Sequence, residues 1–252
     1  LPTGALAGWL CVWLWPVEHP SPLLSARLTR DTQRWRLAVR YGLGAIVLLT
    51  LGLLLRGGWL WLLWPAVSLG LISANYLVIG APGFQKRTNG RLTPAARWLY
   101  APYLAGAWTN SRLWTRKHPQ PDLIVDNVWL GRVPTTSEQG PFKAIVDLCA
   151  ELPINPQGRA YACVPVLDLI TPTADECLKA AHAIERLRMS GPLLVCCALG
   201  YSRSATAVAA WLLTTGRAAT VDQALAIIRT ARATVVLHPA HRKALEGLHH
   251  AR

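Results

Sequence analysis

The chain reads as an α/β protein with an N-terminal transmembrane helical hairpin ahead of a domain built on a central, mainly parallel sheet flanked by helices. Three observations predict this. Two uncharged apolar runs, residues 41–55 and 59–80, are joined by Arg56-Gly57-Gly58. Beyond residue 120, strand-like and helix-like segments alternate, the pattern of a layered α/β domain. At residues 193–213, LLVCCALGYSRSATAVAAWLL, a buried-strand pattern breaks through a glycine-bearing turn into an apolar helix.

Taken in order, residues 4–17 are apolar and carry Trp9, Trp13 and Trp15. A span needs about 20 residues, so this is either the remnant of a longer helix or an interfacial one. No basic segment precedes it, which argues against a cleaved signal peptide. Leu1 in place of methionine leaves two readings, a fragment or a non-standard start codon. The hairpin arms are expected at about 38–56 and 59–80. The first is short, but Arg40 and Arg56 can snorkel from its ends. Trp59, Trp61 and Trp64 suit the interfacial belt at the tip. The other reading is a helical hairpin buried in a soluble core, which near-uncharged runs with aromatic ends argue against.

Five arginines precede the hairpin (27, 30, 34, 36 and 40), and Lys86, Arg87, Arg91, Arg97, Arg112, Arg116 and Lys117 follow it, while the tip holds Arg56 alone. Both flanks are therefore expected in the cytoplasm. Residues 94–114 contain an apolar stretch interrupted by Pro102 between Arg97 and Arg112. They read as a helix lying in the interface, the other reading being a further span that would move the following domain outside. His118-Pro119-Gln120-Pro121 marks the boundary between a membrane region, 1–119, and a second domain, 120–252.

The formal net charge of +13 is unevenly placed. Residues 1–119 hold 13 Lys/Arg against Glu18 and Asp31, whereas residues 120–252 hold 13 against 11 Asp/Glu. Basicity that accompanies the apolar runs is membrane topology and lipid contact, which excludes a nucleic-acid partner. Six cysteines without regular spacing make neither a disulfide framework nor a metal site, and they suit a reducing compartment. The compact layout suggests an integral protein of a bacterial inner membrane with the domain at 120–252 in the cytoplasm.

In the second half, strands are expected at 128–132, 144–148, 160–166 and 193–197, and helices at 174–189, 204–215, 221–230 and 239–248. Thr173 with Glu176, and Thr220 with Gln223, are spaced as capping boxes. The turn after residue 197 lies at the carboxyl end of a strand, where open α/β sheets bind ligands. Its amides and the helix dipole favour an anion. Cys197 stands at its mouth and Arg203 at its far end, with Ala198, Leu199, Gly200, Tyr201 and Ser202 between them. Helix N-terminus and guanidinium both favour the thiolate. The planar guanidinium can grip two phosphate oxygens at once. Nucleophile, amide cradle and arginine clamp are the parts needed to attack a phosphoryl group.

Cys197, Gly200, Arg203 and Ser204, with a strand before and a helix after, resemble the His-Cys-x5-Arg-Ser/Thr loop of the dual-specificity branch of the cysteine-based protein tyrosine phosphatases. Residues 127–131 and 145–148 resemble that family's entry strands, so the likeness runs from about Asp122 to Leu248 and omits the membrane half. The resemblance implies a phosphatase-like fold, a phosphocysteine intermediate on Cys197, and no cofactor or metal. It implies Asp168, 29 residues before Cys197, as general acid, with Asp175 as backup and Asp147 bonding locally. It also implies that the Ser204 hydroxyl helps the thiolate leave, although Ser204 suits a helix N-cap too. One departure stands out: the family's histidine before the nucleophile is Cys196 here. Cys149, or less readily Cys196, is a candidate redox partner of Cys197, the other reading being a buried small side chain.

The expected activity is hydrolysis of phosphomonoesters at the membrane surface. The loop's Tyr-Ser-Arg looks like protein-directed members, which favours phosphorylated protein as substrate. A membrane tether raises the effective concentration of surface substrates, which makes phospholipid head groups the alternative. An inactive phospho-binding module is the third reading, supported only by the missing histidine.

Overall fold

The structure, a computed structural model, describes residues 32–248; the apolar segment at 4–17 and the arginines at 27 and 30 lie outside the described residues. The chain divides into two compact units. Among the described residues, the first comprises 32–87 together with Leu92–Ala107, and the second comprises Thr88–Arg91 and 108–248.

In the first unit, helix α1 (Thr32–Leu55) runs to a turn at Arg56 and Gly57, both in the left-handed region at φ 53° and 54°. The return arm is a composite of a 3-10 turn (Gly57–Leu62), helix α2 (Leu63–Ala74) and a π-helical turn (Asn75–Ile79). The arms approach closely where α1 carries small residues. A Cβ at Gly44 would meet the Leu69 side chain at 3.2 Å, and Ser73 Oγ donates to Ala38 O at 2.8 Å. Elsewhere α1 turns its large side chains outward, with Leu43, Ile46 and Leu54 58 %, 60 % and 74 % exposed. Both arms are long and apolar enough to cross a membrane.

The expected single helix over 94–114 is two: α3 (Pro94–Leu99), capped by Thr93, and α4 (Ala101–Trp114). Pro102 does not interrupt a helix. It lies in the first turn of α4, where its missing N–H costs nothing. The division between the units falls within α4, earlier than the expected linker at 118–121. The reason is local. Ser111 and Thr115 are fully buried, and the Arg112 guanidinium lies 3.8 Å over the Trp108 ring while donating to Val133 O at 2.9 Å.

The second unit holds a five-stranded sheet in the order β1-β2-β5-β3-β4, formed by β1 (Asp122–Val125), β2 (Val128–Arg132), β3 (Ala144–Cys149), β4 (Ala160–Val166) and β5 (Leu193–Cys197). Four strands run parallel as expected. β1 pairs antiparallel with β2 through a turn at Asp126 and Asn127, so the sheet is mixed. That short edge strand was not foreseen, because Asp122–Val125 follows a proline-rich stretch and is only partly covered. Helices α5 (Ala174–Arg188), α6 (Arg203–Thr214), α7 (Val221–Ala231) and α8 (Pro239–Glu246) complete the unit. Their apolar faces close a core in which Val146, Leu148 and Val195 of the sheet join Ile184, Val208, Trp211 and Leu225. Thr173 and Glu176 form the expected capping box at α5. At α7, Thr220 accepts from Gln223 N, but the Gln223 side chain accepts from Ala219 N one residue further out, so only half of that box forms.

Candidate active site

Strand β5 is central and buried throughout, and its C-terminal residue is Cys197. The chain then turns through 198–202 into α6. Two donors converge on the sulfur: Gly200 N lies 3.3 Å and Ser204 Oγ 3.2 Å from Cys197 Sγ. Gly200 has φ 75°, and a Cβ there would fall 2.4 Å from Gly131 C and 2.5 Å from Gly131 O. Only glycine lets the loop pass this close to β2 and present its amide to the sulfur. Ser204 is not the N-cap. Ser202 holds that position without a side-chain bond, α6 begins at Arg203, and the Ser204 hydroxyl is given to the sulfur.

The Arg203 side chain is 2 % exposed and makes four hydrogen bonds through its two terminal nitrogens. Its Nη1 donates to Glu151 Oε2 at 2.9 Å and Val166 O at 2.8 Å. Its Nη2 donates to Glu151 Oε1 at 2.8 Å and Asp168 Oδ1 at 2.9 Å. Glu151, just after β3, thus forks onto the guanidinium and fixes its plane. Burial alone would raise the Glu151 pKa, but the adjacent guanidinium outweighs it and holds the carboxyl below its usual range. Arg203 is held well above its ordinary value: burial opposes its charge, and the facing carboxylates outweigh that.

Asp168 lies on the segment after β4, where Leu169 takes φ 57°. Its side chain is a third exposed, yet burial among the loops raises its pKa. Arg203 pulls the other way, but its charge is already matched by Glu151, whose own negative charge adds to the rise. A carboxyl that keeps its proton to higher pH is what a general acid requires.

The loop carbonyls point outward onto fixed partners. Arg232, 1 % exposed, donates from Nε to Gly200 O at 3.2 Å and is itself held by Asp122 at 2.6 Å. Val236 N donates to Tyr201 O at 3.0 Å, and Tyr201 OH donates to Trp114 O at 3.1 Å. Cys196 is buried within β5, with its backbone paired between Gly131 and Asp147. Cys149, also buried, accepts from Leu152 N at 3.4 Å, and its thiol bonds Glu151. Asp147 bonds locally, to Cys149 N and Tyr161 OH, as expected. Asp175 is exposed in the first turn of α5 and pairs with Lys179, away from the role of acid. Among the described residues, no group of three His, Cys, Asp or Glu side chains is arranged to hold a metal ion.

The structure therefore brings Cys197, Arg203, Ser204, Asp168 and the loop together. Sequence reasoning missed Glu151 and Arg232. Glu151 had one signal, a lone acid between the buried Ala150 and Leu152. Arg232 had none that set it apart from Arg229.

A thiol receiving an amide and a hydroxyl at a strand-to-helix turn, beside an arginine fixed by a carboxylate, is an arrangement suited to nucleophilic attack on an anionic group. Residues 128–249 match the family model described as dual specificity phosphatase, catalytic domain. That segment is similar to the catalytic domains of dual specificity phosphatases. Solved structures with similar chains include Tk-PTP in its active form, at 26 % identity over 54 % of this chain and 99 % of that one, with a TM-score of 0.49. Human DUSP28 is 22 % identical over 53 % of this chain and 95 % of its own, at 0.47. PTPMT1 in complex with PI(5)P is 18 % identical over 51 % of this chain and 93 % of its own, at 0.46. No curated protein matches the chain.

Proposed function

We propose that the protein is a cysteine-dependent phosphomonoester hydrolase that works at a membrane surface through a phosphocysteine intermediate. The observation that carries this reading is the convergence of Gly200 N and Ser204 Oγ on Cys197 Sγ, with Arg203 fixed beside them. The Cys197 thiolate attacks phosphorus, and the bond to the ester oxygen breaks. Asp168 gives its proton to that oxygen. Loop amides and Arg203 hold the non-bridging oxygens as charge spreads over them. In the second step Asp168 takes a proton from water, the resulting hydroxide attacks phosphorus, and the sulfur leaves with the Ser204 hydroxyl donating to it. Asp168 is bonded to Arg203 before substrate arrives. An incoming phosphate supplies the guanidinium with a new acceptor and releases the acid toward the leaving oxygen.

The two apolar arms of the first unit, with their outward leucines and isoleucine, support insertion in a bilayer, and the Lys/Arg on both flanks of the hairpin support a catalytic domain on the cytoplasmic side. Residues 108–252 are the catalytic domain under this reading, and the hairpin is its anchor. Phosphorylated protein is the first substrate class, on the loop sequence Tyr-Ser-Arg. Phospholipid head groups are the second, on the anchor, which concentrates the site at the bilayer. The test is phosphate release from para-nitrophenyl phosphate, a phosphopeptide and a phospholipid panel in detergent. Turnover that prefers a phospholipid by a wide margin in kcat/KM would overturn the protein-directed reading. Cys149 is the proposed redox partner: peroxide converts the Cys197 thiolate to a sulfenic acid, and condensation with the Cys149 thiol forms a disulfide and releases water.

A further inference from the structure

The phosphate loop aims its amides inward only if its carbonyls are held outward. In a trans peptide the C=O of one residue and the N–H of the next lie on opposite sides. Ser202 O is taken up by Thr206 of α6, and three further loop carbonyls are anchored by residues outside the loop and that helix. Gly200 O and Tyr201 O are held by Arg232 and Val236, which follow the loop in the chain and lie within the matched segment. The third, Ala198 O, accepts from Ser111 Oγ at 2.6 Å. Ser111 is on α4, ahead of the sheet and outside residues 128–249.

Ser111 is fully buried. A helical serine commonly turns its hydroxyl back onto a carbonyl of its own helix, whereas this one leaves the helix for the loop. The helix end around it is fixed on the other side. Ser111 O accepts from Thr115 Oγ1 at 2.7 Å, and Thr115 Oγ1 accepts from Arg132 Nη1 at 2.6 Å. Arg132 pairs in register with Cys197, the nucleophile itself. The same helix turn accepts the Tyr201 hydroxyl at Trp114 O. The last turn of α4 therefore grips the loop at its first and fourth residues.

We infer that Ser111 is a positioning residue of the phosphate loop: by holding Ala198 O outward it aims the Leu199 N–H at the bound phosphoryl group. The functional catalytic unit then begins at the last turn of α4, not at the first strand. The turnover arm of the test rests on the phosphatase reading, while the anion-binding arm does not.

The test compares the full chain in detergent as wild type, Ser111→Ala and Ser111→Cys. Tungstate affinity by calorimetry, kcat/KM on para-nitrophenyl phosphate and the thermal midpoint are measured on each. The expected result for Ser111→Ala is tungstate binding and kcat/KM both reduced about 10-fold, the scale of one lost buried hydrogen bond, in a protein that still unfolds cooperatively. Ser111→Cys, near-isosteric with a weaker donor, should lie between, and it carries the test where the alanine variant fails to fold. A lowered midpoint with tungstate affinity and kcat/KM at wild-type values would mean a purely structural serine and would overturn the inference. A wild type that binds no tungstate would overturn it as well. A wild type that binds tungstate without Cys197-dependent turnover would remove the phosphatase reading, while the fall in tungstate affinity would still support Ser111.

Discussion

Replacing Glu151 by glutamine isolates the buried ion pair that fixes Arg203. Both side chains are 2 % exposed, and two parallel bonds of 2.9 and 2.8 Å join them. At an effective dielectric near 20 and a charge separation of about 4 Å, the pair attraction is ~4 kcal/mol. Glutamine keeps one oxygen acceptor but turns an N–H₂ toward the other guanidinium nitrogen. Arg203 is left with the retained oxygen, Val166 O and Asp168 as its partners. Removing one member of a buried pair typically costs about 3–5 kcal/mol, because the other charge stays buried. The retained acceptor puts the expectation at ~3 kcal/mol. For a chain of this size that is a fall of about 6–12 °C in the thermal midpoint. The folded fraction should also lose kcat/KM about 10- to 100-fold, since a guanidinium free to rotate no longer presents its edge to phosphate. Thermal unfolding in detergent and steady-state kinetics on the same preparation measure both. A midpoint within 2 °C of wild type, with unchanged kcat/KM, would refute the claim that Glu151 fixes Arg203.

Other expectations concern protons and thiols. Asp168→Asn should lower kcat by about 10²–10⁴-fold and remove the alkaline limb of the kcat/KM profile, which lies above the usual carboxylate range because burial raises this group; an unchanged alkaline limb would reassign the acid. Cys149→Ser should convert peroxide inactivation from reversible by thiol reductant to irreversible, and equal recovery in both proteins would remove Cys149 as partner of Cys197. Glu185 is held down to about 2, against an ordinary 4.5, chiefly by its bond to Arg188 and also by Trp211 Nε1 at 2.7 Å. A carboxyl depressed on folding stabilises above its unfolded pKa, and that contribution is lost as pH falls from about 4.5 toward 2. Thermal midpoints followed over that range should therefore fall more steeply for wild type than for Glu185→Gln, and parallel curves would contradict the assignment.

The parts legible in the sequence were those written in contiguous pattern. Cys197, Gly200, Arg203 and Ser204 sit in one strand-turn-helix, so their spacing and the family loop it resembles placed them together. The four parallel strands and the helices from 174 onward followed from apolar runs bounded by turns. What stayed hidden depends on distant contacts. Glu151 is 52 residues from Arg203, and nothing local distinguishes an acid that forks onto a buried guanidinium from one that caps a turn. Ser111 is 87 residues from Ala198 and sits in a stretch that reads as a surface helix, because burial by the loop leaves no periodic trace in the sequence. Strand β1 was missed for a similar reason: at the edge of the sheet it is only partly covered, so alternation is weak. Ser204 illustrates a shared signal. A serine at the start of a helix fits both an N-cap and a thiolate donor, and only the position of Cys197 Sγ separates them.

The central claim is that Cys197 is the nucleophile of a phosphoryl transfer. The most direct measurement is phosphate release from para-nitrophenyl phosphate by the full chain in detergent, with and without EDTA and vanadate, beside folded Cys197→Ser. The account predicts turnover that is insensitive to EDTA, abolished by vanadate, and lost by ~10⁴-fold or more in Cys197→Ser, as expected when the group that forms the covalent intermediate is removed. Turnover that persists in Cys197→Ser would contradict it.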